Sequence, residues 1–201
     1  MKRHVNSGDR SPMVKLKALD GIINLQSGAL PTHLQFRRFA GCPVCSLHLR
    51  SFVRRADEIK ANLREVVIFH SPRGELQRYV SDLPFHMVPD PTKAIYRAFG
   101  VEEDRKALLS PRAWPAIAKS VLAVLPGIIK GTAAVPPLDP PGGRFGLPAD
   151  FMIASGGTVT ASLYGTHVDD SWSVEEALEF AAQASATSKP QEPASVGGET
   201  N

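Results

Sequence analysis

Cysteine is scarce in this chain of 201 residues: there are two, Cys42 and Cys45. A disulfide-stapled secreted scaffold spreads several cysteines to close long loops, so that class is set aside. Two thiols also provide only half of a four-cysteine zinc site, and no second Cys-x-x-Cys occurs. Long apolar runs are lacking as well. The most apolar stretch, residues 113–129, is broken by Pro115, Lys119 and Pro126 and is too short to span a bilayer, so it reads as a buried or interface helix, with no membrane partner. Residues 1–20 begin basic but contain no apolar core of a secretory signal, and a cytoplasmic protein is expected. Neither sign of charge dominates, the net charge being +3. Aromatic residues are sparse and do not interleave with a basic stripe, which argues against nucleic acid as a partner. No internal repeat is visible.

What is present is the composition of a globular protein, 43% hydrophobic and 21% charged, at a length that suits one domain with appendages. Residues 1–20 read as an irregular lead-in, 21–184 as the domain, and 185–201, rich in Ser, Thr, Pro, Gly and Glu, as a disordered tail. Leu34 and Phe36 alternate within 33–39 and predict a strand. A helix is expected over 43–63, where Leu49, Phe52, Ala56, Ile59 and Leu63 share one face. The apolar run Val66-Val67-Ile68-Phe69 predicts a central strand buried on both faces. A short helix over 74–80, a strand over 85–88 and a helix from Asp90 to Gly100 follow. Two strands flanking Gly156-Gly157 read as a hairpin, and Ser173 as the cap of a helix to about Ala184. Between these lies an insert at about 102–146, with one apolar helix over 114–125 and a Pro/Gly-rich loop. The expected fold is α/β: a central mixed sheet ordered 2-1-3-4, flanked by helices on both faces, with the insert near the active-site edge.

The two cysteines stand between a strand and a long helix. Only a thiolate is a nucleophile in disulfide exchange, and a free thiol is mostly protonated at neutral pH. At the cap of a helix, Cys42 would meet the free N–H groups of the first turn and the positive end of the dipole. Pro43 fits the first helical position because it has no N–H to waste, which leaves Val44 and Cys45 as donors. Cys45, one turn deeper, is placed to attack a mixed disulfide on Cys42. Cys42 is thus assigned to attack and Cys45 to resolve. Arg37 and Arg38 are expected on the strand surface, although either would add positive potential by turning toward the pair. His48 could complete a metal set with the cysteines, but a packing histidine is the simpler expectation. His70 and Ser71 end the second strand at the same sheet edge, with His70 either a base or a neutral hydrogen-bonded residue.

Phe39-Ala40-Gly41-Cys42-Pro43-Val44-Cys45 resembles the active-site stretch of the peroxiredoxin-like branch of the alkyl hydroperoxide reductase/thiol-specific antioxidant family, the branch that includes prostamide/prostaglandin F synthase-like proteins. Asp90-Pro91, Tyr96 and Phe99-Gly100-Val101 are similar to the helix after the third strand in that family. Leu147-Pro148-Ala149-Asp150-Phe151 is similar to the segment where thioredoxin-fold proteins place a cis-proline facing the cysteines. The resemblance implies a thioredoxin-like fold over about residues 20–182 and a cis bond before Pro148. It also implies that Leu147 offers its backbone to an extended peptide or thiol substrate.

The sequence departs from that family at three places. Phe39 stands where peroxiredoxins keep Thr or Ser, Arg37 where they keep an upstream Pro, and Pro148 near the place of their late arginine; Arg144 is close but not aligned. Efficient peroxide cleavage loses preorganised partners by these changes, whereas dithiol-disulfide exchange needs fewer. The expected function is a thiol-disulfide oxidoreductase that cycles Cys42 and Cys45 and reduces a peroxide or a disulfide. It would need no cofactor and would use a thiol reductant such as a thioredoxin or glutathione system; a homodimer is one option for its assembly. The rival readings are a redox-sensing or partner-binding module on the same fold, and a metal protein using Cys42, Cys45 and His48.

Overall fold

The computed structural model describes residues 4–101, 114–129, 135, 137, 139–143 and 146–188. Residues 102–113 and 130–134 of the expected insert, Arg144, and residues 189–201 of the expected tail lie outside the described residues. The lead-in contributes a two-stranded ribbon, β1 (Leu16–Lys17) with β2 (Ile22–Ile23). Its Leu16 and Ile23 are buried against the sheet, as is Val5 ahead of it.

The main sheet is built from β3 (Thr32–Arg37), β4 (Arg64–Phe69), β5 (His86–Pro89), β6 (Ala149–Ile153) and β7 (Val159–Tyr164), in the order β5-β4-β3-β6-β7. The pairs β3–β4 and β4–β5 are parallel; β3–β6 and β6–β7 are antiparallel. This is the expected mixed sheet, but the expected order 2-1-3-4 is corrected: numbered along the chain, its strands run 3-2-1-4-5. The edge position of β5 has a chemical reason. It is four residues long and ends in Pro89, which cannot donate to a further ladder. The hairpin strand β6 takes the other side of β3 instead.

The run Val66 to Phe69 serves both faces as its sequence predicts. Val66 and Ile68 pack with Leu34, Phe36, Phe99 and Phe151 under α4 (Ala94–Ala98). Val67 and Phe69 pack with Leu49, Phe52, Ile59 and Leu76 under α1 (Pro43–Val53), α2 (Ala56–Asn62) and α3 (Arg73–Tyr79). The same layer holds Trp172 and Ala177, Ala181 and Ala184 of α6 (Val174–Ser188). Ser173 and Glu176 cap α6 reciprocally, each side chain bonded to the other's backbone N–H. This helix extends past the expected boundary at 184. The helix expected over 43–63 is two helices. Their break at Arg54 and Arg55 leaves the apolar spacing intact, so the pattern could not reveal it. Among the described residues no helix is long and apolar enough to cross a membrane.

Candidate active site

The chain leaves β3 at Arg37 and reaches α1 within five residues. Gly41 makes the turn with φ 83, and a Cβ there would lie 3.0 Å from the Tyr79 ring, so conformation and space both favour glycine. The Ala40 N–H donates to Ser71 Oγ at 3.0 Å and the His70 N–H to the Arg38 carbonyl at 3.2 Å. These bonds tie the cysteine loop to the end of β4, the sheet edge expected for His70 and Ser71.

Cys42 is the N-cap of α1, in extended backbone, with Pro43 at the first helical position. Its Sγ accepts from the Cys45 N–H at 3.5 Å and from Arg38 Nη2 at 3.0 Å. Cys42 is 1% exposed and Cys45 5%, and both are free thiols. Cys42, Phe39, Val44 and Cys45 form one cluster covered by Ile117 of α5 (Trp114–Ile129). Sulfur is therefore shielded from solvent, yet it faces a cation and an amide.

Burial, with the hydrogen bond and charge of Cys45, pushes the Cys42 thiol up, while the hydrogen bond from Cys42 holds Cys45 at about 6. These opposite directions describe one proton shared by two sulfurs, so they belong to the pair. Its first ionisation lies below the ordinary thiol value because the sulfurs hydrogen-bond one another and Arg38 stands over both. The donors that converge on Cys42 Sγ make it a place where that charge can rest.

Arg37 and Arg38 are corrected from strand surface to interior: both are buried. Arg38 follows the last residue of β3, in the turn that leads into α1, and that turn carries its guanidinium to the Cys42 sulfur. Burial would lower its pKa, and the charges of Cys42 and Cys45 raise it instead. Its Nε is buried and, among the described residues, has no hydrogen-bond partner. Gly146 runs past both Arg38 and His70, where a Cβ would sit 3.7 Å from Arg38 Cγ and from His70 Nε2.

Arg37 serves a different centre. Its Nη2 pairs with Asp150 Oδ1 at 2.8 Å, Nε donates to Gln35 Oε1 at 2.8 Å, and Nη2 meets His48 Nε2 at 3.0 Å. His33 Nδ1 bonds Glu65 Oε2 at 2.9 Å and its Nε2 lies 3.3 Å from Asp150 Oδ1. Against the cost of burial, Glu65 and Asp150 raise His33 to about 9, and Arg37 holds Asp150 well below the usual carboxylate range. Burial and the Arg37 charge lower His48 to about 3, so it is a neutral packing residue. Among the described residues no three His, Cys, Asp or Glu side chains are grouped to hold a metal ion.

Leu147 packs against Val168, as does Ile117, the residue that covers the cysteine cluster. The Leu147–Pro148 bond, however, is trans, as are all described peptides. The expected cis-proline is thus corrected. Pro148 leads straight into β6, and its carbonyl accepts from the Gly165 N–H at 2.9 Å, closing the end of the hairpin in the intrinsically preferred isomer.

The chain is similar to several solved thiol proteins. It shares 16% identity and a TM-score of 0.62 with the reduced 2-Cys peroxiredoxin of Plasmodium vivax, over 89% of this chain and 81% of that one. For the C45S mutant of peroxiredoxin 6 of Arenicola marina, the identity is 12% and the TM-score 0.64, over 92% and 76%. The peroxidoxin BcpB of Mycobacterium tuberculosis gives 17% and 0.59, over 90% and 98%. These likenesses establish the thioredoxin-like fold. No curated protein matches the chain. The AhpC/TSA antioxidant enzyme family matches over residues 49–167, more than half of the chain, in a stretch that begins four residues after Cys45. The chain belongs to the AhpC/TSA antioxidant enzyme family, whose work is thiol-dependent redox chemistry.

Proposed function

We propose that the protein is a peroxiredoxin-like thiol-disulfide oxidoreductase in which Cys42 attacks and Cys45 resolves. The observation that carries this reading is the Arg38 guanidinium 3.0 Å from Cys42 Sγ, at a helix N-cap that also offers the Cys45 N–H. With a peroxide, the Cys42 thiolate attacks one oxygen, the O–O bond breaks heterolytically, and the leaving alkoxide takes a proton to become an alcohol. Cys42 is then a sulfenic acid. The Cys45 thiolate attacks that sulfur and expels hydroxide, which leaves as water once protonated, and a Cys42–Cys45 disulfide remains. A dithiol reductant of thioredoxin type, or two molecules of a monothiol such as glutathione, restores both thiols. With a disulfide substrate the first step is a mixed disulfide instead.

Arg38 supplies the positive charge that the missing late arginine would otherwise contribute. Its unpartnered Nε–H is available to a developing oxyanion. Pro43 and Val44 shape the first turn, and Leu147 and Pro148, ahead of β6, act as support for a bound substrate. Ile117 of α5 covers the site, and the sealing of both sulfurs requires that α5 give way before an oxidant reaches them.

The test is turnover. With peroxide and a thioredoxin system, wild type should consume NADPH and Cys42→Ser should not. Equal rates would remove the enzymatic reading. Mass spectrometry after mild oxidation should show loss of two hydrogens mapped to Cys42 and Cys45, whereas a stable sulfinic acid on Cys42 alone would contradict the resolving role. The sealing of both thiols favours a second reading, a redox sensor that opens rarely; it predicts the disulfide without sustained NADPH consumption.

A further inference from the structure

A cavity of about 430 Å³ opens at the end of the sheet opposite the cysteines. β3 and β4 run parallel, from Thr32 and Arg64 at the cavity to Arg37 and Phe69 beside the cysteine loop. Six residues per strand put about 20 Å between the two ends. Leu30, Leu63, Pro84 and Phe85 give the cavity apolar walls, and Lys60 and Arg64 bring positive charge to it.

The charges around it are unequal. The two other ionisable groups of the lining are already matched: Glu65 is bonded to His33, and His86 Nδ1 meets Asp20 Oδ2 at 2.7 Å. Arg64 is half-buried, and among the described residues no carboxylate pairs with it. Its Nε and Nη2 reach Thr32 Oγ1 at 3.0 and 2.8 Å, and Nη2 also reaches the Asn24 carbonyl at 2.8 Å. Among the described residues Nη1 has no such bond; it faces the wall at Gly28, where a Cβ would stand 3.5 Å away. A guanidinium held rigidly by neutral acceptors, with one donor arm left at an apolar cavity, is suited to a ligand with one negative group and a hydrocarbon body.

We propose that this cavity binds a small amphipathic carboxylate, an aliphatic chain or single ring bearing one carboxylate, at a site separate from the cysteine pair. The carboxylate meets Arg64 Nη1, with Lys60 at the rim, and the hydrocarbon body lies against Leu30, Leu63 and Phe85.

Backbone amide shifts of the reduced wild-type protein, titrated with octanoate and with octanol at neutral pH, test this. Octanoate should give saturable shifts at residues 28–30, 64–65 and 84–86, and octanol should bind the same residues about tenfold more weakly, as loss of one charge-assisted hydrogen bond implies. Arg64→Gln should weaken octanoate to the level of octanol and leave octanol unchanged. Ala29→Trp, on an exposed loop residue, should fill the cavity and abolish binding of both, its spectrum reporting that the fold is kept. Should Arg64→Gln fail to fold, Lys60→Gln with Ala29→Trp carries the test: octanoate should weaken in the first and be lost in the second. Equal affinity for octanoate and octanol in wild type, no saturation at millimolar octanoate, or shifts confined to other residues would overturn the proposal.

Discussion

Arg37 and Arg38 are neighbours in the chain and opposites in their surroundings. Arg37 lies on the face of β3 that meets α1 and α6, where Asp150 accepts from both of its terminal nitrogens and His33, Glu65 and Gln35 complete a network of matched charge. Arg38 lies at the cysteines, and among the described residues no carboxylate faces it. Its charge is balanced only when one of two sulfurs gives up a proton. A buried cation with a permanent counter-ion is architecture; a buried cation whose counter-ion must be made by ionisation is a device for making that ion. The two regions should therefore fail in different ways.

The largest effect is expected in the matched network. Asp150→Ala leaves Arg37 and His33 without their shared carboxylate in the interior. Breaking one side of such a buried pair costs about 3–5 kcal/mol, which should appear as a lowered midpoint in chemical denaturation. Arg38→Met should cost far less stability, because the thiols it faces can stay neutral. If the two variants lose equal stability, the contrast between the regions fails.

The second effect is on pH, and the regions carry opposite signs. His33 titrates at about 9 in the fold and near 6.5 unfolded. Its stabilisation is full below 6.5 and is lost as pH rises through 9, amounting to about 3 kcal/mol. The first ionisation of the cysteine pair, at about 6 against roughly 8.5 unfolded, works the other way. Its stabilisation is present above 8.5 and is lost as pH falls through 6. Wild type should thus show a flat stability profile between pH 6.5 and 8.5. The double variant Cys42→Ser/Cys45→Ser should show a profile that falls with rising pH, and His33→Gln one that rises. A flat profile in all three would remove both assignments.

How much of this was legible in the sequence depends on whether the side chain or its partner decided the outcome. Leu34, Phe36 and the Val66–Phe69 run spelled out their strands, and Gly156-Gly157 and Ser173 their turn and cap, because each signal is local. The Cys42-Pro43-Val44-Cys45 start of α1 was readable for the same reason. His33, Gln35 and Arg37 alternate with the apolar residues of β3 and look solvent-facing. They are interior because Glu65 and Asp150 arrive from neighbouring strands, and no single segment shows that. The helix break at Arg54, the place of β5 at the sheet edge and the trans bond before Pro148 were likewise settled by packing and pairing rather than by local propensity.

On the cysteine side, Arg38→Met removes the cation that favours a thiolate. The pair should titrate at or above the ordinary thiol range, and alkylation by iodoacetamide at pH 7 should slow about tenfold for each unit by which its pKa exceeds 7. The equivalent change in the matched network, Arg37→Met, should alter alkylation much less while costing more stability. An unchanged alkylation rate in Arg38→Met would mean that the amide of Cys45 alone holds the charge.

The smallest effect concerns the cover. Ile117 packs from α5 against the cluster of Phe39, Cys42, Val44 and Cys45 and is itself partly buried, so Ile117→Ala removes contact area without opening a sealed core. Truncation at such a position costs about 1 kcal/mol, less than the loss at a fully buried site. If α5 must give way before a reagent reaches sulfur, that cost is paid in the covered state alone, and the open population rises by roughly fivefold. Alkylation of the cysteines should then speed up by the same factor at constant pH, with the titration midpoint of the pair unmoved. A shifted midpoint would assign Ile117 to the electrostatics of the sulfurs, and an unchanged rate would place the route of entry somewhere other than beneath α5.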